Sequence, residues 1–124
     1  MEFALLFLPL IHSEDVAIIF YPHINRMQLY KLEPSPNSLK KWRATFVDGK
    51  DQSKQKHVDF GSKNMDDYTI THDKQQRERY RTRHRRDLQT KDPMKPGYLS
   101  WYILWGESTD IAVNAGVYKK LFNL

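Results

Sequence analysis

The hydrophobic pattern of this chain is most regular over residues 42–46, where every second residue is apolar. A period of two is typical of a strand that buries one face. The dipeptide Asp48-Gly49 follows and favours a tight hairpin turn, and we place the return strand at residues 57–60, with its two apolar residues facing inward. Residues 50–56 contain no apolar side chain. They form either a frayed extension of this hairpin or a solvated loop tip.

Two apolar segments lie near the start of the chain. Residues 3–11 are too short for a membrane-spanning helix, which needs about 20 residues, and Glu2 stands where a signal peptide carries a base. We therefore interpret them as a buried strand or an apolar arm, and we do not expect membrane contact. Residues 16–21 are rich in β-branched and aromatic side chains, which predicts a strand buried on both faces. The two segments either complete the domain's own sheet or become buried against a partner.

The segment 33–38 holds two prolines and three small polar residues, so it predicts a linker that continues neither a helix nor a strand. We place a boundary there. Residues 1–38 are then an apolar N-terminal arm with its linker, and residues 39–124 are a small basic domain. We expect an α+β fold, in which the hairpin packs against two or three helices.

A basic helix is predicted over residues 74–86, where Glu78 is the single acid among seven bases. Asp67, Thr71 or Asp73 can supply an N-cap oxygen before it. One thin stripe recurs at intervals of four and is able to pack; its members are Tyr80, His84 and Leu88.

The arginines of this helix allow two interpretations. They are either a solvated face whose charges pair with nearby carboxylates, or an element that binds an anionic partner. Arginine outnumbers lysine six to one, and guanidinium suits bidentate contacts with carboxylate or phosphate. We therefore favour anion binding, and the residues expected to carry it are Arg77, Arg79, Arg81, Arg83, Arg85 and Arg86.

The C-terminal third predicts two further helices. Residues 98–105 are almost wholly apolar and end at Gly106, which suits the position after a helix. Their large rings either pack in the core or act as interface anchors; the candidate anchors of the whole chain are Phe3, Phe7, Phe20, Tyr98, Trp101 and Trp105. Ser108 or Thr109 is expected to cap a final helix, whose apolar stripe comprises Ile111, Ala115, Tyr118 and Phe122.

Composition narrows the classes of function. The 124 residues are 40% hydrophobic and 28% charged, with a formal net charge of +5, so one modest domain with an anionic partner is expected. There is no cysteine, which excludes disulfides, thiolate zinc sites and thiol nucleophiles. No phosphate-binding loop, dinucleotide fingerprint or nucleophile elbow occurs. We therefore expect no enzyme activity, cofactor, metal or small-molecule substrate, and a small nuclease using His72, Asp73 and His84 is the weakest alternative.

From about residue 42 to residue 122 the chain resembles a family of short, largely uncharacterised proteins of large double-stranded DNA viruses of algae and amoebae. The resemblance is carried by Val58-Asp59-Phe60-Gly61, Asp67-Tyr68-Thr69-Ile70, His72-Asp73-Lys74, Arg79-Tyr80-x-x-Arg83-His84, Asp92-Pro93 and the run Leu99–Trp105. Two features depart from that pattern. The loop 50–56 is longer than the family's tight hairpin, and residues 1–38 have no counterpart.

The resemblance implies a virus-encoded structural protein without catalytic residues. We expect a minor capsid (cement) protein of an icosahedral virion, located on the inner side of the shell, whose partners are major and other minor capsid proteins. The alternative is a sequence-neutral nucleic-acid-binding module that acts in genome packaging or in the virus factory, with affinity that falls steeply as salt rises.

Overall fold

The structure, a computed structural model, describes residues 27–124. The strand predicted at residues 16–21, the apolar segment 3–11 and the candidate anchors Phe3, Phe7 and Phe20 lie outside the described residues. Within the described range the fold is α+β, as the sequence predicts: a three-stranded antiparallel sheet packs against helices.

The sheet is built from β1 (Met27–Pro34), β2 (Lys40–Asp48) and β3 (Gln55–Ser62), in the order β1-β2-β3. The inward-facing positions predicted in β2 are confirmed at Ala44 and Phe46, which are fully buried. The other face is less open than predicted, because Thr45 is only 4% exposed and its hydroxyl lies 2.9 Å from His57 Nδ1. Val58 and Phe60 of β3 also face inward, as expected. The inner face of the sheet thus forms one wall of the core.

The segment predicted as a linker is the turn between β1 and β2. Glu33 and Pro34 end β1 and pair with residues of β2, and the backbone N–H of Ser35 donates to the carbonyl of Lys41 over 3.0 Å. Residues 27–38 therefore belong to the same sheet as the rest of the domain. Two prolines are compatible with this position because β1 is an edge strand and the chain turns directly after it.

The β2–β3 connection is wider than the two-residue turn that Asp48-Gly49 suggests. The Asp48 carboxylate accepts the backbone N–H groups of Lys50 at 2.7 Å and Asp51 at 3.2 Å, so the loop spans residues 49–54. Gly49 has no positive φ. Two interpretations were open for residues 50–56, and each holds for part of the segment. Residues 50–54 form the solvated loop tip, and residues 55–56 extend β3.

The described helices are α1 (Tyr68–Thr71), α2 (Lys74–His84), α3 (Pro96–Leu99) and α4 (Ile111–Phe122). A 3-10 helix, Arg85–Thr90, prolongs α2, and a π-helical turn, Ser100–Leu104, prolongs α3. No helix within residues 27–124 has the length and apolar character needed to cross a membrane.

An aspartate caps each of three helices at its N-terminus. The Asp67 carboxylate accepts the Thr69 N–H, that of Asp73 accepts the N–H groups at positions 75 and 76, and that of Asp110 accepts those at positions 112 and 113. Of the three N-caps predicted for the basic helix, Asp73 is the one that caps it, whereas Asp67 caps the short helix α1, which the sequence does not predict. The cap of α4 was expected at Ser108 or Thr109, and Asp110 occupies it instead because the helix begins one residue later.

The aromatic residues at 98–105 lie in the core of their own chain. Tyr98, Trp101 and Trp105 are exposed by only 5–7%, and Leu99, Ile103 and Tyr118 are fully buried beside the sheet. The predicted short buried helix is confirmed, whereas the assignment of these three rings as interface anchors is wrong. Gly106 does not adopt a left-handed conformation. Glycine is needed there because a Cβ would collide with the Tyr102 carbonyl oxygen and the Asn114 amide, which pack closely against it.

Candidate anion-binding face of the arginine-rich helix

The arginines of α2 and its 3-10 extension form two rows on opposite sides. Consecutive residues of a helix are separated by about 100°, so residues four positions apart lie on one side. The inner row, Arg77, Arg81 and Arg85, lies on the side that packs against the rest of the chain, although Arg85 at its end is itself exposed. The outer row, Arg79, Arg83 and Arg86, faces solvent.

Arg77 of the inner row is buried and fully engaged. Its side chain is 9% exposed, and Nε donates to the carbonyl oxygen of Gly106 over 2.7 Å. Nη1 contacts the Glu78 carboxylate at 2.6 Å and Nη2 contacts that of Glu107 at 2.9 Å. The guanidinium also lies over the Tyr68 ring, 5.6 Å from its centroid. Arg77 therefore fastens α2 to the loop that precedes α4.

The other two inner arginines lie against Trp101. The Cζ atom of Arg81 is 4.8 Å from the Trp101 ring centroid and that of Arg85 is 5.9 Å away, both within the range of cation–π attraction. Arg81 Nε also donates to the Trp105 carbonyl over 3.1 Å. Burial, assisted by repulsion from Arg77, lowers the pKa of Arg81. The prediction that Arg77 and Arg81 serve a partner is thus wrong, because both are committed within the chain.

A stack of three rings fixes the rotation of α2 about its axis. The Tyr80 ring lies between His84, at a centroid distance of 4.2 Å, and Trp105, at 4.3 Å. Burial raises the pKa of Tyr80 to about 12. The predicted packing stripe is confirmed at Tyr80 and His84. Because this stack and Arg77 hold one side of α2 inward, the opposite side must face solvent.

The outer row has no intramolecular compensation among the described residues. Arg79, Arg83 and Arg86 are exposed, and within residues 27–124 no carboxylate lies within 4 Å of their guanidinium groups. The acid of α2, Glu78, is paired with Arg77. A rise of 1.5 Å per residue separates neighbouring members of the row by about 4.5–6 Å along the helix axis. The face is therefore a compact line of guanidinium groups that no carboxylate of residues 27–124 neutralises.

A surface cleft of about 570 Å³ adjoins the outer row between α2 and the end of β3. Arg83 and Lys40 line it as cations. Two of its carboxylates already have partners, since Asp87 is 3.1 Å from His84 Nδ1 and Asp67 is 2.6 Å from Lys41 Nζ. A third carboxylate, Asp66, also lines the cleft, so its three carboxylates balance the three cations Lys40, Lys41 and Arg83. The basic surface is therefore the outer row itself and does not continue into the cleft.

The three residues of the nuclease alternative are not brought together. Asp73 caps the start of α2, while His84 lies at its other end, about 16 Å along the axis. His72 adopts a left-handed conformation, φ 58°, as the C-cap of α1. In the part of the chain that the structure describes, no group of three or more His, Asp or Glu residues is arranged to hold a metal ion.

Part of the chain is similar to a known protein family. Residues 30–84 are similar to DUF5754, a family of unknown function. The matched segment covers most of β1, all of β2 and β3, and α1 and α2, and it leaves α3 and α4 outside. No curated protein and no solved structure matches the chain.

Proposed function

We propose that the protein is a structural binding protein that uses the outer row to hold an acidic surface of a neighbouring protein. Its proposed place is a virion, as a minor capsid (cement) protein among major and other minor capsid proteins. The likeness to short viral proteins noted from the sequence supplies this setting. The observation that carries the binding proposal is the set of exposed arginines that meets no carboxylate within residues 27–124.

Arginine chemistry supports this function over mere solubility. Each guanidinium presents donors in a planar fork that matches a carboxylate. The inner row and the ring stack anchor α2 to the domain, so the outer guanidinium groups project from an ordered backbone and only their side-chain freedom is lost when they bind. The row is about 10 Å long, which is the size of one acidic patch on a protein.

Particle binding tests the proposal. The full chain should copurify with intact virions and should rebind salt-washed particles in a salt-sensitive manner. The triple variant Arg79→Ala, Arg83→Ala and Arg86→Ala should lose rebinding. The matched control is Lys50→Ala, Lys54→Ala and Lys56→Ala, which removes the same charge from the β2–β3 hairpin. Absence of the chain from purified particles, or equal loss in both variants, would contradict the proposal.

Nucleic acid is the second candidate partner. The spacing of the outer row also suits successive phosphates, and the His84 ring, 42% exposed beside Arg83, offers one surface for stacking a base. Binding of this kind would be sequence-neutral, with a logarithmic salt slope near the number of phosphates contacted.

A titration with duplex and single-stranded DNA across a salt series separates the two candidates. Nucleic acid would be favoured by a steep fall of log affinity with log salt concentration, if the triple outer-row variant reduces that slope by the equivalent of about three phosphate contacts. Rebinding to particles without measurable DNA affinity at moderate salt would favour the capsid partner.

A further inference from the structure

The outward side of α4 carries an apolar row that no described residue covers. Val113, Val117 and Leu121 are spaced four apart, and they are 51%, 47% and 38% exposed. The neighbouring side of the same helix, about 100° around the axis from Val117, packs on the core through Tyr118, which is fully buried. The row is therefore a second apolar face, separate from the one that folds the domain.

The residues beside this row on α4 have small side chains and are exposed to solvent. Gly116 lies beside it, and a Cβ added there would meet nothing within 4 Å. Ala112, one turn earlier, is also exposed. Small residues beside an apolar row leave room for another backbone to approach closely.

The charges at the two ends of the row are opposite. At 100° per residue, Asp110 and Lys120 fall on the same side of α4 as Val117, one before the row and one near its end. In an antiparallel pair of α4 helices, each Asp110 would face the Lys120 of the other helix. The helix dipoles would also oppose each other, which is the favourable arrangement.

We propose that this face of α4 is the interface of a two-fold symmetric homodimer, with the two α4 helices antiparallel. The charge pattern selects a second copy as the occupant, because a two-fold axis makes the face complementary to itself. The chain's own apolar segment 3–11 is an alternative occupant of this face. It carries no charge, so it would match the apolar row but leave Asp110 and Lys120 without a partner from that segment. An anionic membrane would favour a uniformly basic rim instead. This proposal does not depend on what the outer arginine row binds.

Sedimentation of the full-length protein over a concentration series tests the interface. The unmodified chain should sediment as a monomer–dimer equilibrium, and Val117→Glu should weaken dimerisation by at least about tenfold, because a charge would be buried against the partner's apolar row. The matched control is Gln52→Glu, which places the same charge on the exposed β2–β3 loop and should leave the equilibrium unchanged. Circular dichroism shows whether each variant is folded.

Two charge variants check the orientation. Lys120→Glu should weaken the dimer because it would place two acids together. Asp110→Asn keeps an N-cap oxygen and removes the charge, and it should weaken the dimer less. A monomer at every concentration, or a dimer indifferent to Val117→Glu, would overturn the proposal. A monomer with nuclear Overhauser contacts between Val117 and residues 3–11 would assign the row to the chain's own N-terminal segment.

Discussion

The Nε atom of Arg77 donates a 2.7 Å hydrogen bond to the carbonyl oxygen of Gly106, which lies 29 positions further along the chain. Both residues are buried. This bond joins the family-matched part of the chain to the C-terminal helical part, and it explains why one side of α2 is unavailable to a partner.

Replacing Arg77 with Ala should destabilise the fold by about 2–3 kcal/mol, because the Gly106 carbonyl would stay buried without a donor. The two glutamate contacts add little, since the side chains of Glu78 and Glu107 are 66% and 85% exposed. Urea unfolding followed by tryptophan fluorescence measures the change. Arg79→Ala, on the outer side of the same helix, is the control and should change stability by less than about 0.5 kcal/mol. Equal effects of the two variants would contradict the assignment of the rows.

Replacing Asn114 with Leu should destabilise the protein by about 3 kcal/mol. The buried amide Nδ2 donates to the carbonyls of Ile103 at 2.9 Å and Ser108 at 2.7 Å, and Oδ1 accepts the Ser108 N–H at 3.0 Å. Leu would leave these backbone groups unpaired. Asn64→Leu, at an exposed loop position, is the control for the same chemical change. An unfolding midpoint for Asn114→Leu as high as that of the control would refute the role of this amide.

Stability at acid pH should depend on the pair formed by Arg43 and Asp59. The hydrogen bond from Arg43, 2.8 Å from Nε to Oδ1, lowers the pKa of Asp59 below its ordinary value of 3.8. A group whose folded-state pKa is lowered stabilises the protein above its unfolded pKa, and this contribution is lost as the pH falls through the folded value. The Arg43→Gln variant should therefore raise the pKa of Asp59 and lessen the acid sensitivity.

A carboxyl NMR titration of Asp59 measures this shift directly. Arg79→Gln removes the same charge from the outer row and serves as the control, in which the titration of Asp59 should stay as in the unmodified protein. If Asp59 titrates at the same pH after Arg43→Gln, the proposed cause of the lowered pKa is incorrect.

Stability at alkaline pH should depend on Tyr80. Burial raises its pKa to about 12, so the folded state keeps the phenol proton where an unfolded chain, with a pKa of about 10, loses it. The stabilisation is complete below pH about 10 and is lost as the pH rises to about 12. Tyr80→Phe retains the ring stack and should lessen this loss by up to about 2 kcal/mol.

Unfolding free energies of the Tyr80→Phe variant on both sides of pH about 10 provide the measurement. Tyr30→Phe is the control, because the Tyr30 side chain is 73% exposed and contributes no buried phenol. If the free energy of unfolding falls equally with pH in Tyr80→Phe and in the unmodified protein, ionisation of Tyr80 is not the cause of the alkaline loss of stability.

Local pattern was sufficient for β2, β3 and the longer helices, but it predicted neither the edge strand β1 nor the one-turn helix α1. The alternation in β2 identified a half-buried strand, and Asp73 before a charged helix was among the expected N-caps. Such features depend on residues two to four positions apart, and sequence displays those directly. The widened β2–β3 loop was harder to foresee, because the Asp48 carboxylate competes for the backbone N–H groups that a tight turn would use.

The sequence by itself determined the α+β class, the basic helix and the apolar C-terminal stripe, because periodicity and composition record which faces avoid water. Tertiary structure alone decided which arginines face inward, since Arg77 is neutralised and hydrogen-bonded by groups about thirty positions away. It also decided that segment 33–38 is a turn and that Tyr98, Trp101 and Trp105 are core residues. Burial of a given side chain depends on what the fold places opposite it, and that information is not local to the residue.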